Sequence, residues 1–224
     1  MTVGLEHEVA APHCLSAREA GELLSGAPWR RWAVMGDSMA AGVGGPSAGY
    51  ADVPWAERVV QALRFSRSEV DYLNTGQANL RTADILRTQL QPVLDFQPDL
   101  VTVVAGSNDA FSRSGDLAVV QDSLDAACQR LTEGGAHLLL FTVTNVFDKS
   151  PQLAPFGERI ADLNDRIRAL AGKHKATLVE MWDHPIRHAP DLMSADGIHF
   201  SMMGQAVLAS EIVRALAASA GARP

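Results

Sequence analysis

A serine hydroxyl stands where a short apolar run stops, at Gly36-Asp37-Ser38. Residues 32–35 are continuous and apolar and are followed by a breaker, which is the pattern of a buried strand. Gly36 allows a sharp turn, and Asp37 and Ser38 favour the start of a helix. Ser38 is then expected just past the carboxyl end of a strand, where open α/β sheets bind ligands. A serine at that edge can act as a nucleophile, although the same residues also serve as ordinary helix caps.

A carboxylate and an imidazole occur three residues apart near the other end of the chain, in Asp196-Gly197-Ile198-His199. Across a tight loop this spacing lets Asp196 bond one ring nitrogen of His199 and leaves the other nitrogen for Ser38. A nucleophile, a base and a group that orients the base require this relation. Taken alone, Asp196 is also typical of a turn before glycine, and His199 of a loop histidine with an incidental hydrogen bond.

An amide donor, Asn108, lies in Gly106-Ser107-Asn108-Asp109, after another apolar run at residues 100–105. A neutral donor aimed at a developing oxyanion is worth roughly 3 kcal/mol of barrier. Asn-Asp is also common in turns, so this residue becomes informative only together with the serine and the histidine.

The elements that must position these residues alternate between strands and helices. Strands are expected over residues 32–35, 69–73, 100–105, 137–143 and 177–181. Helices are expected to begin at Ser16 and Pro54 and to cover residues 82–94, 117–131, 158–170 and 203–218. Five βα units predict a parallel sheet with helices on both faces, whose carboxyl ends lie side by side. Residues 1–28 are expected to form a lead-in with one short helix, and residues 29–224 a single domain.

Together the three blocks resemble the SGNH, or GDSL-type, hydrolase family, and they occur in the order and with the separations of that family. The resemblance runs from about residue 32 to residue 218. It implies a three-layer, flavodoxin-like α/β/α fold with a five-stranded parallel sheet and an esterase-type acyl-transfer site. By the same resemblance Ser38 is the nucleophile, His199 the base and Asp196 its orienter, while Asn108 donates to the oxyanion through its side chain.

One position departs from the family pattern, which usually has a glycine five residues after the Asn that ends the second strand. Counting from Asn74, that position is Asn79. Asparagine tolerates a positive φ better than most residues, so the Asn79 N–H is expected to join the Ser38 N–H and the Asn108 amide in the oxyanion hole. Its side chain would then narrow the range of accepted acyl groups. Gly76 replaces it as donor only if the loop register shifts.

Apolar loop residues near these blocks are candidates for contacts with substrate. They are Met39, Phe111, Val146 and Phe147. Packing in the core or within a loop is the alternative for each of them.

The net charge and the lengths of the apolar runs indicate which classes of partner are not expected. The 224 residues carry a formal net charge of −7, so no basic surplus neutralises phosphates and nucleic acid is not expected as the main partner. No apolar run reaches the ~18 residues of a membrane span, and the first residues lack a secretory signal, which predicts a cytoplasmic protein. The expected reaction requires no cofactor and no metal.

The sequence therefore predicts a hydrolase of a small ester, with O-acetyl compounds among the candidates, acting through an acyl-enzyme on Ser38. An acyltransferase or a thioesterase on the same scaffold is an alternative, because both use the same nucleophile. A non-catalytic, flavodoxin-like binding module is the alternative from a different class.

Overall fold

The computed structural model describes residues 6–65, 69–148 and 151–221. Residues 1–5 of the predicted lead-in, and residues 149 and 150 of the loop expected after the fourth strand, lie outside the described residues. The strands are β1 (Arg31–Gly36), β2 (Asp71–Asn74), β3 (Leu100–Val104), β4 (His137–Phe141) and β5 (Thr177–Val179). The helices are α1 (Glu6–Ala10), α2 (Ala17–Leu23), α3 (Trp55–Arg64), α4 (Thr82–Phe96), α5 (Ser107–Ala110), α6 (Leu117–Glu133), α7 (Gly157–His174) and α8 (Met202–Gly221).

The five strands form one sheet in the order β2-β1-β3-β4-β5. Strand β1 pairs in parallel with β3, so that Gly36 stands beside Val104, and β4 and β5 continue the parallel pattern. This is the strand order of flavodoxin-like sheets, in which ligands bind beyond the carboxyl ends of the strands on either side of the reversal between β1 and β3. The predicted α/β class with a five-stranded parallel sheet is confirmed. Strand β3 is central and buried along its whole length, as its apolar run predicts.

The described residues belong to two compact units that are discontinuous in sequence. The first comprises Met1–Arg30, Gly42–Asp71 and His188–Pro224. Helices α2, α3 and α8 pack against one another in it, and α3 buries Trp55, Val59, Val60 and Leu63 as predicted. The predicted lead-in is therefore part of a larger unit, and the capping box at Ser16 is present. The single domain over residues 29–224 stays a prediction.

The second unit comprises Arg31–Ala41 and Tyr72–Arg187, and it contains the sheet. Helix α4 packs against β1, and α6 and α7 pack against β4. Its buried core combines side chains of the inner strands with one face of each of these helices: Ala33, Met35, Val101, Val103, Leu138, Leu140, Ile85, Leu124, Ile160 and Leu163. Alternate strand residues enter this core because successive side chains of a strand point to opposite faces.

Among the described residues, no helix is both long enough and apolar enough to cross a bilayer. Helices α1 and α5 were not predicted from the sequence, because they contain only five and four residues and are too short to show a helical period.

Candidate active site

Ser38 lies two residues beyond β1, half-buried, in a tight turn. The turn is fixed at Asp37, whose N–H donates to the Val104 carbonyl at 3.1 Å and whose carboxylate accepts from the Met39 N–H at 3.0 Å. Gly36 has a φ of 149°, and a Cβ there would stand 2.1 Å from the Val104 oxygen, so only glycine fits. Asp37 and Ser38 favour a helix start, but residues 38–42 form only a turn, in which the Ala41 N–H donates to the Asp37 carbonyl at 3.0 Å, and the chain then continues into a glycine-rich loop.

The loop after β2 packs against the turn that carries Ser38. The Asn74 carboxamide donates to the Ala40 carbonyl at 2.8 Å and accepts from the Gly76 N–H at 2.8 Å. Three residues on, Asn79 adopts the positive φ that its residue type allows, 65°, and its side chain is exposed. Within the described part of the chain, the N–H of Gly76 is thus engaged, whereas that of Asn79 makes no hydrogen bond.

Asn108 lies in α5, directly beyond the carboxyl end of β3, and its side-chain amide donates to the Leu80 carbonyl at 2.8 Å. Leu80 directly follows Asn79, so this bond connects α5 to the loop that carries Asn79. The next residue, Asp109, is buried and accepts from the N–H and the hydroxyl of Thr82 at 2.9 and 2.8 Å. Ser38, Asn79 and Asn108 all belong to the second unit.

Asp196 and His199 lie in the first unit, in a turn closed by an isolated antiparallel bridge between Met193 and Phe200. Oδ2 of Asp196 is 2.6 Å from Nδ1 of His199, as the three-residue spacing predicts. Oδ1 accepts from the Ser194 hydroxyl and from the backbone N–H groups of Ile198 and His199, at 2.7, 2.9 and 3.0 Å. Both oxygens of the carboxylate are therefore hydrogen-bonded, and Oδ2 is the one that contacts the imidazole ring.

Partial burial of Asp196 favours its neutral form, but the hydrogen bonds from His199, Ile198 and Ser194 outweigh it and hold the pKa of Asp196 well below its usual value. The carboxylate is consequently ionised at neutral pH. An ionised partner at Nδ1 keeps the ring hydrogen on that nitrogen and leaves Nε2 as an acceptor.

The sequence model of the GDSL-like Lipase/Acylhydrolase family matches residues 34–207, which include all three blocks. The chain belongs to this family. No curated protein sequence matches it significantly.

Several solved structures have the same fold over most of this chain. A lipase/acylhydrolase from Enterococcus faecalis is 24% identical, with a TM-score of 0.67 over 85% of this chain and 96% of that one. A catalytic mutant of Axe2, an acetylxylan esterase from Geobacillus stearothermophilus, is 15% identical, with a TM-score of 0.70 over 84% and 94% of the two chains. The structure of TesA is 24% identical, with a TM-score of 0.64 over 83% and 97%.

Four apolar residues were expected to contact substrate, and the structure separates them. Phe147 is only 4% exposed and packs in the core, with its ring centroid 6.2 Å from that of Trp182. This burial fits the alternative of core packing that the sequence also allowed for Phe147, and its contact with substrate stays a prediction. Met39, Phe111 and Val146 are half-buried and keep surface that a ligand could contact. Phe111 follows Asn108 by three residues at the end of α5, which puts both on one face of the helical turn.

Ser194 and Gln89 support the site but were not singled out from sequence. The Ser194 hydroxyl bonds Asp196, and a serine two residues before a turn aspartate is a recognisable local signal. Gln89 bonds the backbone of Gly36 from α4, and its only signal is a polar residue among apolar ones at helical spacing.

In the described parts of the chain, no three His, Cys, Asp or Glu side chains are grouped so that they could hold a metal ion.

Proposed function

We propose that the chain is a serine carboxylic-ester hydrolase that acts through an acyl-enzyme on Ser38. The observation that carries this proposal is the bond between Asp196 and His199: the carboxylate is fixed by three further donors and meets Nδ1 at 2.6 Å. This is how a catalytic imidazole is oriented in serine hydrolases, and membership of an acylhydrolase family supports the same reading.

In the proposed reaction, Nε2 of His199 takes the proton of the Ser38 hydroxyl while the serine oxygen bonds to the ester carbonyl carbon. The tetrahedral intermediate collapses when the ester C–O bond breaks, and His199 returns the proton to the departing alcohol. Water then enters, His199 removes its proton, and attack on the acyl-enzyme releases the acid and regenerates Ser38. Asp196 stabilises the imidazolium in both halves without being protonated itself.

The oxyanion hole of this proposal consists of the N–H groups of Ser38 and Asn79 and the side-chain amide of Asn108. Asn108 has two amide hydrogens, and only one is used by the Leu80 carbonyl. Asn79 is preferred to Gly76 because the Gly76 N–H already donates to Asn74, whereas the Asn79 residue has the positive φ expected at this position. Preorganised donors of this kind supply a large part of catalysis in acyl transfer.

The proposed substrate is a small O-acyl ester, with O-acetyl compounds first among them. The exposed Asn79 side chain, at a position where the family usually has glycine, adds bulk beside the carbonyl that is attacked. Axe2, one of the similar structures, is an acetylxylan esterase, which agrees with a short acyl group.

The proposal is tested with a fluorophosphonate probe and with p-nitrophenyl acetate. Wild-type protein and the control Ser107→Ala, which removes a different serine at the same edge of the sheet, should be labelled and should hydrolyse the ester. Ser38→Ala should do neither. Equal labelling of Ser38→Ala, or a wild type that is inert to both reagents, would contradict the proposal. Product ratios with and without an added alcohol distinguish hydrolysis from acyl transfer.

A further inference from the structure

Helix α4 carries a buried amide on its apolar face. Gln89 is 3% exposed and lies four residues from Ile85 and from Val93, which are both buried. A buried carboxamide costs free energy unless its hydrogen-bonding groups are satisfied, so its partners indicate what it does there.

The Gln89 carboxamide bonds both peptide groups of Gly36, the last residue of β1. Its oxygen accepts from the Gly36 N–H at 2.7 Å, and its NH₂ group donates to the Gly36 carbonyl at 3.0 Å. On the other side of β1, the next N–H along the chain donates to Val104. Gly36 is therefore held from two directions, two residues before Ser38.

The same carboxamide also contacts the loop that carries Asn79. The hydroxyl of Thr75 donates to the Gln89 oxygen at 3.1 Å, and the Gln77 N–H shares the Gly36 carbonyl at 3.1 Å. The Gln89 side chain thus bonds both the segment that carries Ser38 and the loop that carries the proposed oxyanion donor, the Asn79 N–H.

We propose that Gln89 is a positioning residue that sets the distance between the Ser38 oxygen and the oxyanion donor of the loop containing Asn79. This inference rests on the proposed function. Loss of the clamp leaves the substrate's other contacts in place but displaces the nucleophile relative to the donors. Because these donors bind the oxyanion and not the ester, the effect falls on kcat and not on KM.

The second unit contains a matched control. Asn164 of α7 is fully buried and clamps both peptide groups of Val143, at 2.8 and 2.9 Å, beyond the end of β4. Gln89→Met and Asn164→Leu each replace a buried amide by an apolar side chain of similar shape. Gln89→Met removes the partner of the Gly36 N–H and leaves the Gly36 carbonyl with the Gln77 N–H, whereas Asn164→Leu removes the Asn164 partner from both the N–H and the carbonyl of Val143. Asn164→Leu should therefore lose at least as much stability as Gln89→Met, but only Gln89→Met removes a contact with the segments that carry Ser38 and Asn79.

The experiment measures kcat and KM for p-nitrophenyl acetate, the rate of fluorophosphonate labelling, and Tm for both variants. We expect Gln89→Met to lower kcat and the labelling rate about 10- to 100-fold with little change in KM, and Asn164→Leu to keep kcat near that of the wild type. A Gln89→Met protein that is folded and has a wild-type kcat would overturn the inference, as would an equal loss of kcat in Asn164→Leu.

If Gln89→Met does not fold, Thr75→Val decides the question, because it removes a single hydroxyl, which lies 3.1 Å from the Gln89 oxygen and 3.3 Å from the Val34 carbonyl. A several-fold loss of kcat in folded Thr75→Val supports the inference, and an unchanged kcat overturns it. Ser38→Ala is measured in parallel. If Ser38→Ala is inert while folded Gln89→Met reacts normally, only the role of Gln89 fails; if Ser38→Ala is labelled, the proposed function fails and the inference fails with it.

Discussion

Asp196→Asn changes one group of the candidate site and leaves the hydrogen-bonded frame of the turn in place. Oδ1 of Asp196 accepts from three donors, the Ser194 hydroxyl and the N–H groups of Ile198 and His199. In the variant these donors keep the single amide oxygen at the Oδ1 position. The NH₂ group must then face Nδ1 of His199, at the site where the wild type has an acceptor 2.6 Å away.

An amide NH₂ group only donates, so Nδ1 of His199 has to become the acceptor and the ring hydrogen moves to Nε2. The nitrogen that should take the Ser38 proton then already carries one. In Ser-His-Asp hydrolases this change of tautomer costs ~10⁴-fold in kcat, equivalent to about 5.4 kcal/mol of barrier. We expect a loss of kcat of that size for Asp196→Asn, in a protein that stays folded because the donors around Oδ1 remain satisfied.

The assay is the steady-state hydrolysis of p-nitrophenyl acetate, with Tm followed by circular dichroism. Because the substitution places an asparagine before Gly197, mass spectrometry must show that the preparation has not reverted by deamidation. Ser194→Ala serves as the control, since it removes one of the four donors to the carboxylate and leaves the contact with Nδ1; we expect it to cost less than tenfold. A folded Asp196→Asn protein with kcat within tenfold of the wild type would refute the assignment of Asp196 as the group that orients His199.

Asn108→Ala should lower kcat about 10²- to 10³-fold with little change in KM for p-nitrophenyl acetate, and a raised KM at constant kcat would speak against an oxyanion donor. In an acyl-chain-length series of aryl esters the wild type should prefer acetyl, and Asn79→Gly should raise kcat/KM for longer chains; an unchanged profile would argue against crowding by Asn79. Because the pKa of Asp196 is lower in the folded protein than its ordinary value of 3.8, ionised Asp196 stabilises the folded state at pH values above 3.8. This stabilisation is lost as the pH falls through the lower pKa of the folded state. Urea unfolding from pH 7 down to pH 2 should therefore show a stability advantage over Asp196→Asn that declines only below about pH 4, and a constant difference would contradict this.

Most of the fold could be predicted from the sequence because the central strands are continuous apolar runs. Residues 100–105 and 137–143 predict β3 and β4 to within two residues, since most positions of a strand covered on both faces are apolar. The edge strand β2 was harder to place: 69–73 was predicted and Asp71–Asn74 is observed. Its side chains are exposed or half-buried, so hydrophobicity does not mark where pairing begins.

The residues of the candidate site were predictable for a different reason. Ser38 and Asn108 both follow a predicted strand, and the topology of a parallel sheet carries such positions to one edge regardless of their separation in sequence. The Asp196–His199 bond followed from local spacing alone. The burial of Phe147 could not be predicted, because it depends on contacts with distant residues such as Trp182, which no local pattern encodes.

The supporting amides could not be predicted, and the reason lies in how a parallel sheet ends. Within the sheet each peptide group is paired by its neighbouring strands, but at the carboxyl ends the strands diverge into loops and their peptide groups need other partners. Here the partners are Gln89 for Gly36 and Asn164 for Val143, both supplied by helices. In sequence, a glutamine on a helix looks like any surface residue. The Gly36-Asp37-Ser38 motif alone therefore does not reveal which side chains hold its backbone in place. We therefore expect that a family member with an intact Gly-Asp-Ser block but an apolar residue at the position of Gln89 supplies another polar side chain to the peptide groups of that glycine. A member without such a side chain should still fold, but its kcat should be low.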